Sequence, residues 1–312
     1  MPQGSVLGPL LFVLYAADVM KIAQDHGVNV HAYADDMQTY VSCKADDQQS
    51  AVDRLLACIA DVNKWMSSNR LKLNADKTEF IWIGTSQQLA KIIRQPLTEG
   101  DQVITPVHSA HNLGVIFDDQ LKMDAHARSV VKSCFYQLRQ LRSVQRSLTF
   151  EARRALMTAF IASGVDYCNS VFYGVAKLTI RRLQICLNAA ARLVTGVQKF
   201  SHITPVLRDT LHWLPVEQRV IFKIATLAFD CVRGTCPAYF RGVCNLLAET
   251  DGRSNLRSAQ RGNVHIPRTR LAFATRSFCV AGPGVWNSRP PELHLSTINR
   301  RQFRARLKTH LF

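Results

Sequence analysis

One stretch of the sequence decides the fold of its first part: residues 28–41, VNVHAYADDMQTYV. Apolar and polar residues alternate on both sides of a short acidic segment. The alternating positions are Val28, Val30, Ala32, Met37, Thr39 and Val41. A period of two residues is typical of a strand, and two such runs around a short break predict a β-hairpin. Asp35 and Asp36 are therefore expected near its turn.

The remainder of the first 120 residues mixes helical and strand-like patterns. Helices are predicted at residues 7–20 and 46–66, where apolar positions recur at helical spacing. Short strands are predicted at 71–73, 79–83 and 112–117, with a connection over 86–106.

From residue 124 onward the pattern is helical. Helices are predicted at 125–141, 150–162, 167–175, 178–194, 216–232 and 296–310, and Thr149 is a candidate N-cap. Residues 249–294 are rich in Arg, Gly, Pro and Ser and are expected to be extended or poorly ordered. The fold class is therefore α+β, with a boundary near residue 120.

The charge changes sign at the same boundary. The 312 residues contain 39 Lys+Arg and 23 Asp+Glu, a formal net charge of +16. Residues 1–124 hold 10 basic and 15 acidic residues, whereas residues 125–312 hold 29 and 8. Such a basic second part favours a polyanionic partner, most often nucleic acid, and a solvated basic surface is the alternative. No apolar run reaches the roughly 18 residues of a membrane span, so no membrane partner is predicted.

Arginine stripes support the same preference. Arg139, Arg142 and Arg146 recur at helical spacing, which suits contacts with phosphates but also suits an ordinary surface helix. The nearby aromatic residues Phe135, Tyr136 and Phe150 are expected in the core. A second arginine-rich stretch is expected to follow an RNA strand, at Arg253, Arg257, Arg261, Arg268, Arg270 and Arg276.

The nine cysteines are scattered, which suits reduced thiols in an intracellular compartment. Cys231, Cys236 and Cys244 with His265 lack a close C-x₂-C pair, and that spacing argues against a zinc site.

Asp35-Asp36 is the strongest candidate for chemistry. Two adjacent carboxylates repel each other and favour a bound cation, and oxygen ligands select Mg²⁺ or Mn²⁺. The alternative is a solvated acidic turn, because Asp46-Asp47 and Asp118-Asp119 show the same dipeptide elsewhere.

Several motifs occur in a fixed order around this pair. They are PQGSVLGPLLF at 2–12, YADD at 33–36, LKLNADKTE at 71–79, HNLGV at 111–115, NAAARLVTG at 188–196, HITPVL at 202–207, LHWLPV at 211–216, and RSF at 276–278 with GPGVWN at 282–287. As a set they resemble the reverse transcriptases of non-LTR (LINE-type, jockey/CR1-like) retrotransposons, in the C-terminal part of that enzyme. The resemblance covers nearly the whole chain.

The resemblance implies a truncated antiparallel polymerase palm, then a helical thumb, then a basic C-terminal tail. The implied division is a partial palm over 1–85, a connection and primer-grip hairpin over 86–120, a thumb or connection over 121–248, and a basic segment with a terminal helix over 249–312.

The resemblance also implies a function for particular residues. Asp35 and Asp36 would bind Mg²⁺ or Mn²⁺, and Lys77 would assist the leaving pyrophosphate, a solvated strand end being the alternative for Lys77. The residues implied to contact nucleotide, template or primer are Gln3, Gly4, Tyr33, Leu113 and Gly114. The implied partners are an RNA template, a DNA primer and deoxynucleoside triphosphates. An active enzyme would be intracellular and would work in the nucleus during target-primed reverse transcription.

One departure from the family pattern affects activity. The family's two-metal site needs a further aspartate, expected from a palm strand before Met1, and the fingers are expected upstream as well. This chain alone is therefore expected to have little or no polymerase activity and to expose apolar surface in its palm part. The alternatives are a non-catalytic nucleic-acid-binding remnant and a relic without function.

Overall fold

The computed structural model describes residues 5–74, 77–99, 102–249, 252 and 260–312. It separates into two compact units, Met1–Leu121 and Lys122–Phe312. Each unit is described by itself.

The first unit combines helices with three two-stranded antiparallel hairpins. Its elements are α1 Gly8–Tyr15, α2 Ala17–Asp25, β1 Asn29–Tyr33, β2 Asp36–Tyr40, α3 Gln48–Ser68, α4 Ser86–Leu89, β3 Leu97–Glu99, β4 Gln102–Ile104, β5 Ser109–Asn112 and β6 Val115–Asp118. A single 3-10 turn, Ala45–Asp47, precedes α3.

The core of this unit forms where α2 and the start of the first hairpin pack on α3. Its buried members are Val19, Ala23, Val28, Cys58, Val62 and Met66. The α3 members fall four residues apart, so they form one stripe of the helix. This packing fixes the first hairpin at its open end and leaves its turn in solvent.

The predicted helix over residues 7–20 is two helices that meet at Ala16. Helix α1 has Pro9 in its first turn and buries none of its residues. Leu10 and Leu14 are exposed, as are most of its apolar neighbours. The expected exposed apolar surface is therefore confirmed for α1.

Two strand predictions in this unit were wrong, and a third is confirmed only in part. Residues 71–73 form no strand, and residues 79–83 contribute only one isolated bridge, Phe80 to Pro106. The predicted strand at 112–117 is the turn and second strand of the β5–β6 hairpin. Phe80 stacks edge-on against Trp82 at 5.3 Å, so side-chain packing holds this segment where a ladder was expected.

The second unit is mainly helical. Its elements are α5 Asp124–Val144, α6 Phe150–Met157, α7 Ser163–Asp166, α8 Lys177–Thr195, α9 Val216–Val232, α10 Phe278–Asn287 and α11 Arg300–Leu311. Helices α6 and α7 are joined by the π-turn Thr158–Ala162, and a second π-turn lies at Val206–Thr210. Single 3-10 turns lie at Gln145–Ser147, Asn169–Phe172, Ala238–Phe240, Leu247–Glu249, Ala272–Arg276 and Pro291–Leu293. None of the described helices is long and apolar enough to cross a membrane.

Helix α8 lies at the centre of this unit, packed against α5, α6 and α9. Its buried residues include Leu183, Leu187, Ala190 and Val194, spaced three or four apart. Two of its buried residues, Ala190 and Ala191, are small enough to allow close approach of the neighbouring helices. Thr149 caps α6 by accepting a hydrogen bond from the Ala152 N–H at 3.2 Å, which confirms the predicted cap.

The last two helices pack on α9. Phe303 of α11 stacks on Phe229 with ring centroids 4.4 Å apart, and Trp286 of α10 lies beside both. The Arg300 guanidinium donates hydrogen bonds to both carboxylate oxygens of the buried Asp230, at 2.8 and 2.9 Å. A buried carboxylate without this partner would be costly, so the pair fixes the start of α11.

One helix prediction and one prediction of an extended segment in this unit need correction. Residues 167–175 hold only a 3-10 turn, because Cys168 and Gly174 have φ of 47° and 66°, outside the helical region. Part of the segment predicted as extended or poorly ordered is helix α10, despite Pro283 within it. Its buried residues Ala281, Val285 and Trp286 show that packing on α9 outweighs the poor propensity of Gly and Pro.

His126 provides a test of the α5 packing. Its ring is buried, stacks on Phe172 at 5.4 Å, and has no hydrogen-bond partner at either nitrogen within the described residues. Burial lowers the pKa of the His126 imidazole, so the folded chain holds it neutral. Unfolding restores an ordinary pKa near 6.5 and lets the ring bind a proton, so stability falls as pH drops below that value.

We expect the His126→Phe variant to lose less unfolding free energy than the parent between pH 7.5 and 5. Urea unfolding at several pH values measures this. His310→Phe, at an exposed position, is the control and should keep the parental pH dependence. An unchanged pH dependence in His126→Phe would contradict the assignment.

Candidate functional site

The Asp-Asp pair lies at the tip of the β1–β2 hairpin. Tyr33 pairs with Asp36, so Ala34 and Asp35 form a two-residue turn. Ala34 has φ of 55°, the positive value that short hairpin turns require. Both carboxylates are exposed. The predicted hairpin, with its acids at the turn, is confirmed.

This donor set suits a hard divalent cation but is small. The adjacent carboxylates of Asp35 and Asp36 concentrate negative charge and offer only oxygen ligands. Across the described residues, no three His, Cys, Asp or Glu side chains are arranged to hold a metal. The pair therefore fits part of a two-metal site, and the described part of the chain supplies no third acid to it.

A ring pair that the sequence analysis missed braces the same hairpin. His31 of β1 stacks on Tyr40 of β2 with centroids 5.3 Å apart, and the Tyr40 hydroxyl lies 3.2 Å from His31 Nε2. The two residues are diagonal neighbours across the ladder, where large side chains are in reach of each other. Tyr33, beside the turn, is 69% exposed and open to a ligand.

A second hairpin is joined to the first. In the β5–β6 hairpin Asn112 pairs with Val115, so Leu113 and Gly114 form its turn, with φ of 46° and 77°. The Asn112 side-chain amide donates a 2.7 Å hydrogen bond to Gln38 Oε1 of β2. The structure thus brings the carboxylate turn and the Leu113-Gly114 turn into one assembly. Gly114 is therefore a turn residue and not a bulge within a strand.

The other predicted site residues are placed less tightly. Lys77 is exposed in a single turn, and its backbone N–H donates to the Asn74 carbonyl at 3.2 Å. No hydrogen bond or ion pair among the described residues joins it to the carboxylates. Glu79 accepts a 2.7 Å hydrogen bond from the His111 N–H and ties this segment to β5. Gln3 and Gly4 lie outside the described residues.

Helix α5 of the second unit presents a basic face. The residues that share it are exposed and three or four positions apart: Lys132, Phe135, Tyr136, Arg139, Arg142 and Arg146. Residues 125–150 contain no Asp or Glu. Phe135 and Tyr136 are 40% and 58% exposed, so their expected place in the core was wrong. The opposite face of α5 buries Cys134, Leu138 and Leu141 against α8, which turns the aromatic residues outward.

The described arginines of the second arginine-rich stretch differ in exposure and in hydrogen bonding. Arg261, Arg268 and Arg270 are exposed. Arg276 instead donates hydrogen bonds to the carbonyls of Tyr173 and Val171, at 3.0 and 3.3 Å, and is a structural residue. Arg253 and Arg257 lie outside the described residues.

The cysteines near residue 240 form a thiol cluster. Cys231 interacts with both Cys236 and Cys244, and burial raises the pKa of Cys244 to about 11. The His265 N–H donates to the Asn245 carbonyl at 2.9 Å, and side chains alternate along such paired segments. His265 therefore lies on the opposite side of this pairing from Cys244.

The family comparison agrees with the geometry of the first unit. Residues 1–117 match the family described as "Reverse transcriptase (RNA-dependent DNA polymerase)". These residues are therefore similar in sequence to reverse transcriptases.

The chain is also similar in sequence to proteins of several transposable elements. The chain is 26% identical over 231 residues to the "Probable RNA-directed DNA polymerase from transposon BS" of Drosophila melanogaster, covering 70% of this chain and 24% of the relative. It is 24% identical over 206 residues to the "RNA-directed DNA polymerase from mobile element jockey" of Drosophila funebris, covering 62% and 22%. It is also 24% identical over 247 residues to the "Retrovirus-related Pol polyprotein from type-1 retrotransposable element R1" of Nasonia vitripennis, covering 75% and 68%.

The chain is thus a relative of the reverse transcriptases of non-LTR retrotransposons. It spans about a quarter of the length of the first of these relatives. No solved structure matches it.

The second hairpin turn gives a stability test. Gly114 has φ of 77°, where a Cβ costs about 1–2 kcal/mol. We expect Gly114→Ala to destabilise the hairpin by about 1 kcal/mol and to raise amide hydrogen exchange over residues 109–118 about fivefold.

Gly84→Ala is the matched control, because Gly84 has no positive φ and an added Cβ there makes only ordinary contacts, the nearest with Gln88 Oε1 at 3.4 Å. Equal exchange in the two variants would contradict the assigned turn.

Proposed function

We propose that this chain supplies two metal-binding carboxylates and part of the primer-binding surface of an RNA-directed DNA polymerase. In this proposal Met1–Leu121 holds part of the palm and Lys122–Phe312 holds the thumb and C-terminal region. The observation that carries it is the Gln38–Asn112 hydrogen bond, which joins the Asp-Asp turn to the Leu113-Gly114 turn. A polymerase needs these two elements together, since one holds metal and the other holds the primer end.

Asp35 and Asp36 would hold Mg²⁺ or Mn²⁺. A divalent ion bound there would neutralise triphosphate charge and favour ionisation of the primer 3′-hydroxyl. Tyr33 lies next to the pair and would contact the primer end. The backbone at Leu113 and Gly114 would contact the primer strand, because a turn with a glycine allows close approach. We also propose that Lys77 assists the leaving pyrophosphate and that Gln3 and Gly4 position template and nucleotide.

The site would be incomplete with these residues alone. Two carboxylates hold a pair of divalent ions poorly, and the described residues offer no third acid beside them. This chain is therefore proposed to have little or no polymerase activity by itself. An intact enzyme of this kind would act on an RNA template, a DNA primer and deoxynucleoside triphosphates, in the nucleus.

A chimera tests the catalytic proposal. The upstream part of the polymerase from transposon BS would be joined to this chain and assayed for primer extension on poly(rA)–oligo(dT). We expect incorporation that falls about a thousandfold in Asp35→Asn, since metal ligands contribute several kcal/mol to the barrier. Asp46→Asn is the matched control from another Asp-Asp dipeptide and should retain activity.

Equal activity in the two variants would contradict the proposal for Asp35. Incorporation by the unfused chain that Asp35→Asn abolishes would contradict the proposed incompleteness.

The basic face of α5 supports a second candidate function, nucleic-acid binding without catalysis. Its exposed cations have no acidic residue within residues 125–150 to neutralise them. Contacts of this kind bind phosphates and release counterions, so affinity falls steeply with salt. This function requires only the second unit.

Salt dependence tests this candidate. We expect the Arg139→Ala, Arg142→Ala, Arg146→Ala triple variant to reduce the slope of log affinity against log salt by about 2–3. Fluorescence anisotropy with a labelled oligonucleotide measures the slope. The control removes the same charge from the first unit, at the exposed Lys44, Lys64 and Lys91. A slope that changes equally in both variants would show only a dependence on net charge.

A further inference from the structure

Phe200 is almost completely exposed in a short loop of the second unit. Its relative exposure is 92%, whereas the other exposed phenylalanines of this unit, Phe135, Phe160 and Phe312, are 40–48% exposed. The loop follows Gly196, which ends α8 with φ of 75°, and precedes the π-turn Val206–Thr210. Phe200 falls between the two sequence motifs at 188–196 and 202–207, so the family resemblance assigns nothing to it.

The loop is anchored on both sides of this ring. Arg192 of α8 donates a 3.2 Å hydrogen bond to the Ser201 carbonyl, and the Ser201 N–H donates to the Gln198 carbonyl at 3.2 Å. Ile203, three residues on, is buried. The exposure of Phe200 is therefore imposed by a fixed backbone turn.

One cation contacts the ring, and further basic residues lie in the same segment. Lys199 Nζ lies 5.4 Å from the Phe200 ring centroid, which is a cation–π contact. The side-chain amide of Gln145 donates to the Leu193 carbonyl at 2.9 Å, so the end of α5 with Arg146 lies beside the end of α8. Residues 167–208 contain no Asp or Glu and hold six Lys or Arg. Residues 125–150 likewise contain no Asp or Glu. An anionic ligand therefore meets no acidic side chain from either of these two segments.

An exposed aromatic ring beside a lysine is suited to stacking on an unpaired base. The lysine covers one face of the ring and leaves the other for a planar partner. Bases within a duplex are already stacked on their neighbours, whereas an unpaired base offers a free face. A protein partner would need adjoining apolar surface, and the neighbours of Phe200 in the loop, Lys199 and Ser201, are polar.

We propose that Phe200 stacks on an unpaired base of a bound single strand while Lys199 contacts a flanking phosphate. This proposal rests on the proposed nucleic-acid binding by the second unit and adds a specific contact for unpaired nucleotides. Stacking of a base on an aromatic residue typically changes affinity by about 5- to 150-fold.

The test compares two strands of equal length and charge. Binding of the full chain to a twelve-nucleotide oligo(dT) and to the corresponding abasic deoxyribose-phosphate strand is measured by anisotropy. We expect Phe200→Ala to weaken oligo(dT) binding about tenfold and to leave binding of the abasic strand unchanged. Phe200→Trp should retain oligo(dT) binding, and its added fluorescence should be quenched by oligo(dT) alone.

Tyr239→Ala is the matched control, since Tyr239 is a 76% exposed aromatic residue elsewhere in the unit. It should bind both strands like the parent. Equal losses for both strands in Phe200→Ala, or no loss for either, would overturn base stacking while leaving nucleic-acid binding intact.

If Phe200→Ala changes self-association in sedimentation and leaves oligo(dT) affinity unchanged, the ring is a protein contact and the proposal is overturned. If the parent binds neither strand, nucleic-acid binding itself fails, and the stacking proposal fails with it.

Discussion

The two-residue turn between β1 and β2 is the constraint on which the candidate site depends. It places Asp35 in the turn and Asp36 at the first position of β2, so two like charges lie at one exposed end of the hairpin. The strands are held in turn by Val28, buried against α2 and α3, and by the His31–Tyr40 ring pair. The exposed charge is therefore supported by apolar packing at the other end of the same hairpin.

The second unit carries a large excess of positive charge on a helical core. Helix α8 buries its apolar stripe on three neighbouring helices, and α5 buries one face on α8. Helix α5 then directs Arg139 and Arg142 outward, and Arg181 of α8 is exposed as well. Asp230, the one buried acid among the described residues, is paired with Arg300.

The first hairpin, α3, α5, α8 and α9 were predictable because each combines a clear period with buried apolar positions. The pattern failed where a local rule was overridden. Gly and Pro suggested an extended segment at residues 278–287, yet packing of Trp286 on α9 makes it a helix. Phe135 and Tyr136 were assigned to the core from their type alone, although their helical phase, set by Cys134 and Leu138, points them outward.

In the site, the Asp-Asp turn followed from the alternation around it. The Gln38–Asn112 bond did not, because both residues are ordinary polar residues in strands and no local pattern pairs them.

That hydrogen bond also makes the site depend on a contact between distant parts of the chain. Its partners lie 74 positions apart in the chain. Each hairpin closes over a few residues, which takes microseconds, whereas a contact across this distance requires the chain between them to be compact first. The contact that joins the two hairpins therefore closes a far longer loop than either hairpin turn does, and the entropy cost of that closure is correspondingly larger. The composite site thus depends on the compact packing of the segment between the hairpins, which includes α3.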